Sequence, residues 1–299
     1  SEREVVKEER RMRYENDVYG ALHELINSTM HKTSEYRWPV IGYMADLNAT
    51  KMDELKSFYQ TYYAPNNAVV VLAGSFDAAK AKALIKKYYS HLKSQPIPPF
   101  NFTPEAEQKS LRRASLKKPV QNMTYSMSFH SPPAGHVDNY ALDLLANALG
   151  DGSSSRLYKT LVYDKQLASG VSAYNSNSKH SGTFSFSVSA KPGVKAATIE
   201  KVIRTEIEKV QKNLLALKEL EKVRNQVLMS YISGLKTMAG KARALALNEV
   251  FFDDYTVLYK DLGIYEKVTL PDVQRVAREY LQMKRANVVT IIPTQGSQP

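Results

Sequence analysis

The 299-residue chain contains no cysteine. Disulfides and thiolate metal sites are thereby excluded, and His, Asp and Glu remain as the strong side-chain metal ligands. No apolar run approaches the roughly 18 to 20 residues of a membrane span, so no membrane-spanning helix is expected. The first residues also lack the charged start, apolar stretch and small-residue cleavage site of a secretory leader, so any targeting peptide is expected upstream of Ser1 or not at all. Between Phe186 and Tyr231 there is no aromatic residue, although Lys195 to Arg224 is the densest basic stretch. A nucleic-acid groove combines clustered Arg and Lys with exposed aromatics. Here the basic residues are scattered among Glu and apolar residues, as on solvated helices, and no nucleic-acid partner is expected despite a net charge of +11.

The chain has 43% hydrophobic and 24% charged residues, the composition of a globular protein of about two domains. An internal repeat organises it. Thr50-Lys-Met-Asp53 reads as a capping box leading into Leu55, Phe58, Tyr59 and Tyr62 at helical spacing. Pro65-Asn-Asn67 and the buried-strand run Ala68 to Ala73 follow. Thr269-Leu-Pro-Asp272 repeats the pattern, leading into Val273, Val276, Ala277 and Tyr280 and then Asn287 to Ile292. The Tyr59, Tyr62 and Tyr63 group reads as core. Two copies of one module are expected, offset by about 218 residues.

The proline-bearing stretch 95–104 marks a linker. Residues 1–94 are expected to form the C-terminal part of the first module, and residues 105–299 the second. If the modules are alike, more than about a hundred residues belong ahead of Ser1, because a half-module leaves a sheet edge and a core face uncovered. In the second module Met123 to Phe129, Gly170 to Tyr174 and Thr183 to Ser189 alternate like strands. Helices are expected over 140–149 and 199–210, with one long helix from Lys218 past Met229 towards Val250. In the first module Asp77 caps another, through Tyr88. The fold class is α+β: two related modules, each a mostly antiparallel sheet with helices packed on one face, the first incomplete. Gly150 to Arg156 follows a helix and lacks Gly-Lys-Ser/Thr, so it reads as a C-cap loop anchored by Arg156. Trp38 reads as part of a surface loop.

Glu2 and Glu9 lie seven residues apart in one predicted helix. At about 100° per residue they return to within roughly 20° of one azimuth, two turns apart. One carboxylate can then ligate a metal while the other orients its neighbours; a solvated helix face shows the same spacing.

These residues carry a resemblance. Glu2-Arg-Glu-Val-Val-Lys-Glu-Glu9, Tyr43-Met-Ala-Asp-Leu47, Phe58 to Asn67, Val71-Leu-Ala-Gly74 and Gly152-Ser-Ser-Ser-Arg-Leu-Tyr158 resemble the pitrilysin/insulinase family. The nearest branch is that of mitochondrial processing peptidase and bacterial zinc proteases. The resemblance covers essentially the whole chain and implies a LuxS/processing-peptidase-like metallopeptidase fold of repeated α+β modules. It implies a zinc endopeptidase that hydrolyses peptides or unfolded segments in an enclosed chamber, as full-length protein. The family holds zinc through an inverted His-x-x-Glu-His motif, whose glutamate activates water, and a downstream glutamate. Glu9 matches that third ligand, and Glu2 the glutamate that supports the site from behind.

The six histidines include no pair at the required spacing. A single carboxylate cannot hold Zn²⁺, so this chain is expected to bind no zinc and to be inactive by itself. The helix around Leu144 to Asn147 is expected in the place of the metal helix. Where the family places an Arg/Tyr pair that grips peptide, this chain has Val162 and Ser169. The resemblance therefore implies a homodimer, or a heterodimer with a homologous subunit that carries the pair. The alternative is a metal-free homologue acting as a structural or substrate-gripping subunit. Relatives in this branch are often exported, which implies the bacterial periplasm, with the cytoplasm as alternative.

Overall fold

Tyr125, Met127 and Phe129 alternate with Ser126, Ser128 and His130, and this period of two gives a sheet with one apolar and one hydroxyl-bearing face. The structure, a computed structural model, describes residues 2–294. Five strands, β1 (Arg112–Lys118), β2 (Thr124–Ser131), β3 (Ala168–Asn177), β4 (Gly182–Ala190) and β5 (Asn287–Pro293), lie in the order β1-β5-β2-β4-β3. β1 runs parallel to β5 and the other pairs are antiparallel. The pairs Met127 with Phe186, Phe129 with Phe184 and Ala173 with Phe186 share the apolar face. Ser126 with Ser187, Ser128 with Ser185 and Ser176 with Thr183 pave the other.

Helices cover the apolar face because their own apolar stripes need burial. In α7 (Ala196–Lys212) Ile199, Val202, Ile203, Ile207 and Val210 are buried while Lys201, Arg204 and Glu208 stay exposed, the i, i+3/i+4 pattern of a core-facing helix. α6 (Asp138–Gly150) and α11 (Leu270–Tyr280) complete the layer. At the start of α11 the Thr269 hydroxyl and the Asp272 carboxylate satisfy each other's backbone N–H, the capping box expected from sequence. The opposite face is covered at its β5 end by α2 (Val18–Met30), where Leu22, Ile26 and Met30 pack on Val289 and Ile291.

By packing, the chain divides into one unit of Ser1–Gly42, Phe102–Met229 and Leu262–Pro299 and another of Tyr43–Asn101 and Ser230–Asp261. These units cut across the sequence-based division at 94 and 105, because the apolar stripe of α2 finds its cover on β5 rather than among residues 43–94. The α+β class holds for the first unit. The second unit departs from expectation. Among the described residues it contains no strand: 68–73 makes no ladder, and Val69, Val70 and Leu72 are exposed. A strand exists only by pairing, and the one sheet among the described residues lies in the other unit.

α3 (Met44–Ala49), α4 (Met52–Tyr62) and α5 (Ala78–Tyr89) form in that second unit, the last capped by Asp77 as expected. Tyr59, Tyr62 and Tyr63, read as core, are instead exposed, and Tyr59 stacks on Tyr63 at 4.8 Å. The first capping box is displaced by one residue. Glu54 accepts from Lys51 N at 2.7 Å, and Thr50 Oγ1 is engaged with the Asp46 carbonyl of the preceding helix. The single long helix expected after Lys218 is two, α8 (Leu217–Gly234) and α9 (Met238–Phe252). Gly234 ends the first and Thr237 caps the second, accepting from Gly240 N at 3.0 Å. α10 (Asp261–Lys267) precedes α11.

Candidate functional site

The two glutamates singled out from sequence lie in α1 (Glu2–Arg10), seven residues apart on one helix, as expected. Glu2 is exposed. Glu9 is partly covered, its side chain 40% exposed, with Oε1 3.1 Å from Arg13 Nε. The anchor of this helix is its neighbour, which sequence reasoning passed over. Arg10 is buried, donates through Nη2 to both carboxylate oxygens of Glu24 at 2.9 and 3.0 Å, and lies 5.5 Å from the Tyr14 ring. After Arg10 the helix widens into a π turn, Arg11–Glu15, closed by Asn16 N to Arg11 O at 2.8 Å. Asp17 then caps α2 by accepting from Gly20 N at 2.6 Å. Glycine is required at position 20, because a Cβ there would lie 1.7 Å from the Arg13 carbonyl oxygen. Arg10, Asp17 and Gly20 thus seat the acid-bearing helix on α2.

This arrangement frames a cleft of about 670 Å³ lined by Arg13, Tyr14, His23, Glu24, Asn27 and Trp38, among others. Trp38, expected in a surface loop, lines this cleft, with the Arg37 guanidinium 4.6 Å above its ring. A second, smaller cavity of about 160 Å³ shares His23, Asn27 and Tyr36 with it and is otherwise lined by His31, Tyr174 and hydroxyls of β3, β4 and their connection. Burial and the neighbouring His130 imidazole lower the His31 pKa to about 4, so this ring is neutral at physiological pH. His130, also lowered by burial, donates from Nε2 to the Met30 carbonyl at 3.2 Å.

Below His31, Glu105 receives the backbone N–H groups of Lys32, Thr33 and Ser34 at 2.7, 2.9 and 3.2 Å. Burial alone would raise its pKa; those N–H donors and the Thr33 hydroxyl outweigh it and bring it to about 2. Both shifts act in one direction. An unfolded chain takes up a proton on His31 between its ordinary 6.5 and about 4, and on Glu105 between 4.5 and about 2, where the folded chain does not. Stability is therefore expected to be full above pH 6.5 and to fall as the pH drops through these windows. Urea midpoints at pH 7.5, 5.5 and 4 check this, and a flat profile over that range contradicts it.

Val162 packs against the core, and Ser169 sits at the irregularity where β3 begins, its hydroxyl donating to Ser189 O at 3.3 Å. Neither presents a cationic or phenolic group. Arg156 binds Glu219 of α8 through two contacts of 2.8 and 2.7 Å and so fixes the loop after α6. On α6 the sequence reading missed a polar pair one turn apart. Asn139 and Asp143 both accept from Asn175 Nδ2, at 3.3 and 3.0 Å, and Asp143 also accepts from Tyr265 OH at 2.5 Å. Polar positions at i, i+4, Asn139 and Asp143, on a helix that otherwise carries only Asp138 and Asn147 among apolar residues were the available signal.

Zinc can be tested against the donors present. Among the described residues no three His, Asp or Glu side chains form a group able to hold a metal ion. The Glu9 carboxylate, expected from sequence as the third ligand, is bridged by Arg13. The residues present do not fit zinc. Equally, among the described residues no helix is long and apolar enough to cross a membrane.

The family model described as the peptidase M16 inactive domain matches residues 50–227. The chain belongs to the M16 peptidase family. Zinc protease PqqE of Helicobacter pylori is 31% identical over 300 residues, covering 98% of this chain. The chain spans 66% of the length of that curated relative. A crystal structure of a protease from the same organism matches with a TM-score of 0.91 at 30% identity, over 98% of this chain and 71% of the other. The inactive peptidase domain of a putative zinc protease from Bordetella parapertussis matches 62% of this chain and 97% of its own length, with a TM-score of 0.55 at 26% identity. The M16 inactive domain is therefore present, and zinc proteases are its relatives.

Proposed function

We propose that this chain is the larger part of a zinc-dependent endopeptidase: its inactive module together with the acidic half of its metal site. By itself it hydrolyses no peptide. The observation that carries this reading is the placement of Glu2 and Glu9 on one helix in a chain that lacks His-x-x-Glu-His. In the whole protein Glu9 would be the third of the residues that hold the metal, and Glu2 would support the site from behind. Two histidines and a catalytic glutamate come from polypeptide outside this chain, which also covers the exposed apolar surface of α4 and the 68–73 segment.

The substrate is a peptide or an unfolded segment. Val162 and Ser169 offer nothing to grip it, so the whole protein works either as a homodimer without that pair or as a heterodimer whose homologous subunit supplies an Arg/Tyr pair. The test is a fluorogenic-peptide assay of this chain alone and after mixing with a polypeptide that carries the histidine motif and the remaining third of the relatives' length, with and without a homologous subunit that bears the Arg/Tyr pair. Hydrolysis is expected only in the mixture, sensitive to chelator and lost with Glu9→Ala. Chelator-sensitive hydrolysis by the chain alone overturns the proposal. The Glu9 to Arg13 bridge favours a second reading, a metal-free scaffold or gripping subunit; a mixture that stays inactive whatever residue is at position 9 supports it.

A further inference from the structure

The cavity beside His31 is built differently from the cleft it adjoins. Its lining contains no carboxylate and no Lys or Arg; it consists of imidazole, carboxamide, phenol and aliphatic hydroxyl groups, with Ile26 the one aliphatic side chain. A charged ligand group would lose its hydration there without a counter-charge, and an apolar one would leave the hydroxyls unpaired. His31 is only 4% exposed, and its Nδ1 has no hydrogen-bond partner. That nitrogen is itself closed off from solvent, so an occupant of the cavity meets the rest of the ring and the surrounding hydroxyls. The ring is also a neutral group at physiological pH, able to donate from one ring nitrogen and accept at the other.

Size and position narrow the occupant. A volume of about 160 Å³ corresponds to about five waters at roughly 30 Å³ each, enough for a side-chain carboxamide. Because His23, Asn27 and Tyr36 line both spaces, a chain lying in the 670 Å³ cleft along α2 can direct one side chain into the smaller one. The floor is the hydroxyl-bearing face of the sheet, where Ser185 Oγ is already hydrogen-bonded to Ser128 Oγ at 2.8 Å and is thereby oriented.

We infer that the His31 cavity is a specificity subsite that receives an uncharged hydrogen-bonding side chain, Asn or Gln foremost, of a polypeptide seated in the α2 cleft. The inference rests on the peptidase reading for the identity of the occupant, but not for the chemistry of the cavity.

The test is fluorescence anisotropy of the full chain with labelled heptapeptide pools, each fixed at one position as Asn, Gln, Ser, Leu, Asp or Lys. At one position the Asn and Gln pools are expected to bind at least about tenfold more tightly than the Leu, Asp and Lys pools. His31→Phe, which keeps the ring and removes its nitrogens, is expected to abolish that preference while leaving the Leu pool unaffected. Should His31→Phe fail to fold, Tyr174→Phe removes a hydroxyl from the cavity wall and is expected to reduce the preference by a few-fold. Binding of all pools alike, or a preference unchanged in both variants, overturns the subsite and leaves the peptidase reading standing. Failure of every pool to bind also overturns the subsite; the peptidase reading is decided separately, by hydrolysis in the mixture with the polypeptide that carries the histidine motif.

Discussion

Replacement of Phe186 by alanine is expected to destabilise the sheet-bearing unit by about 3–5 kcal/mol. Phe186 is fully buried at the centre of the apolar face, paired across the sheet with Met127 on one side and Ala173 on the other. Its ring meets the edge of Phe129 at 6.5 Å and lies 5.3 Å from Phe184. Truncation removes the buried area and both aromatic contacts, and the surrounding layer of α6 and α7 relaxes only in part. The urea midpoint should fall with little change in slope. Tyr59→Ala is the matched control: the side chain is 61% exposed, so a change within about 0.5 kcal/mol is expected. Similar losses from the two substitutions would contradict the assignment of the core.

Glu24→Ala is expected to cost about 3 kcal/mol and to loosen α1 from α2. The carboxylate accepts through both oxygens from the buried Arg10 guanidinium, and its removal leaves a desolvated cation with weaker partners, among them the Tyr14 face and Glu15 at 4.0 Å. The position of Glu9, the residue before Arg10 in α1, depends on that anchor. The double substitution Arg10→Met with Glu24→Leu should recover most of the loss, since an apolar pair of similar volume replaces a buried ion pair at little cost. Hydrogen exchange over residues 2–15 reads the loosening directly. Unchanged protection in Glu24→Ala would show that α1 is held by something other than this pair.

Much of the sheet-bearing unit was legible because its strands and helices carry their own period and both neighbours and cover are present. β2, β4 and β5 are examples, as is the Thr269 capping box. β1 was missed because its sequence, Arg112-Arg-Ala-Ser-Leu-Lys-Lys118, has the charges of an edge strand and takes its structure from β5. The segment 68–73 failed in the opposite sense: its apolar run reads as a buried strand, but pairing partners decide, and the described residues of its unit offer none. At the candidate site the helix that carries Glu2 and Glu9 was legible from its spacing. Arg10, Glu24 and the close approach at Gly20 were not, because they are contacts between helices and leave no mark in local spacing.

Isothermal titration of Zn²⁺ into the purified chain at neutral pH is the most direct test of the claim that only the acidic half of a metal site is present. The account predicts no stoichiometric binding at micromolar zinc, and the same trace for wild type and Glu9→Ala. One-to-one binding by the wild type that disappears in Glu9→Ala would contradict it, because the chain would then be completing a zinc site from its own residues.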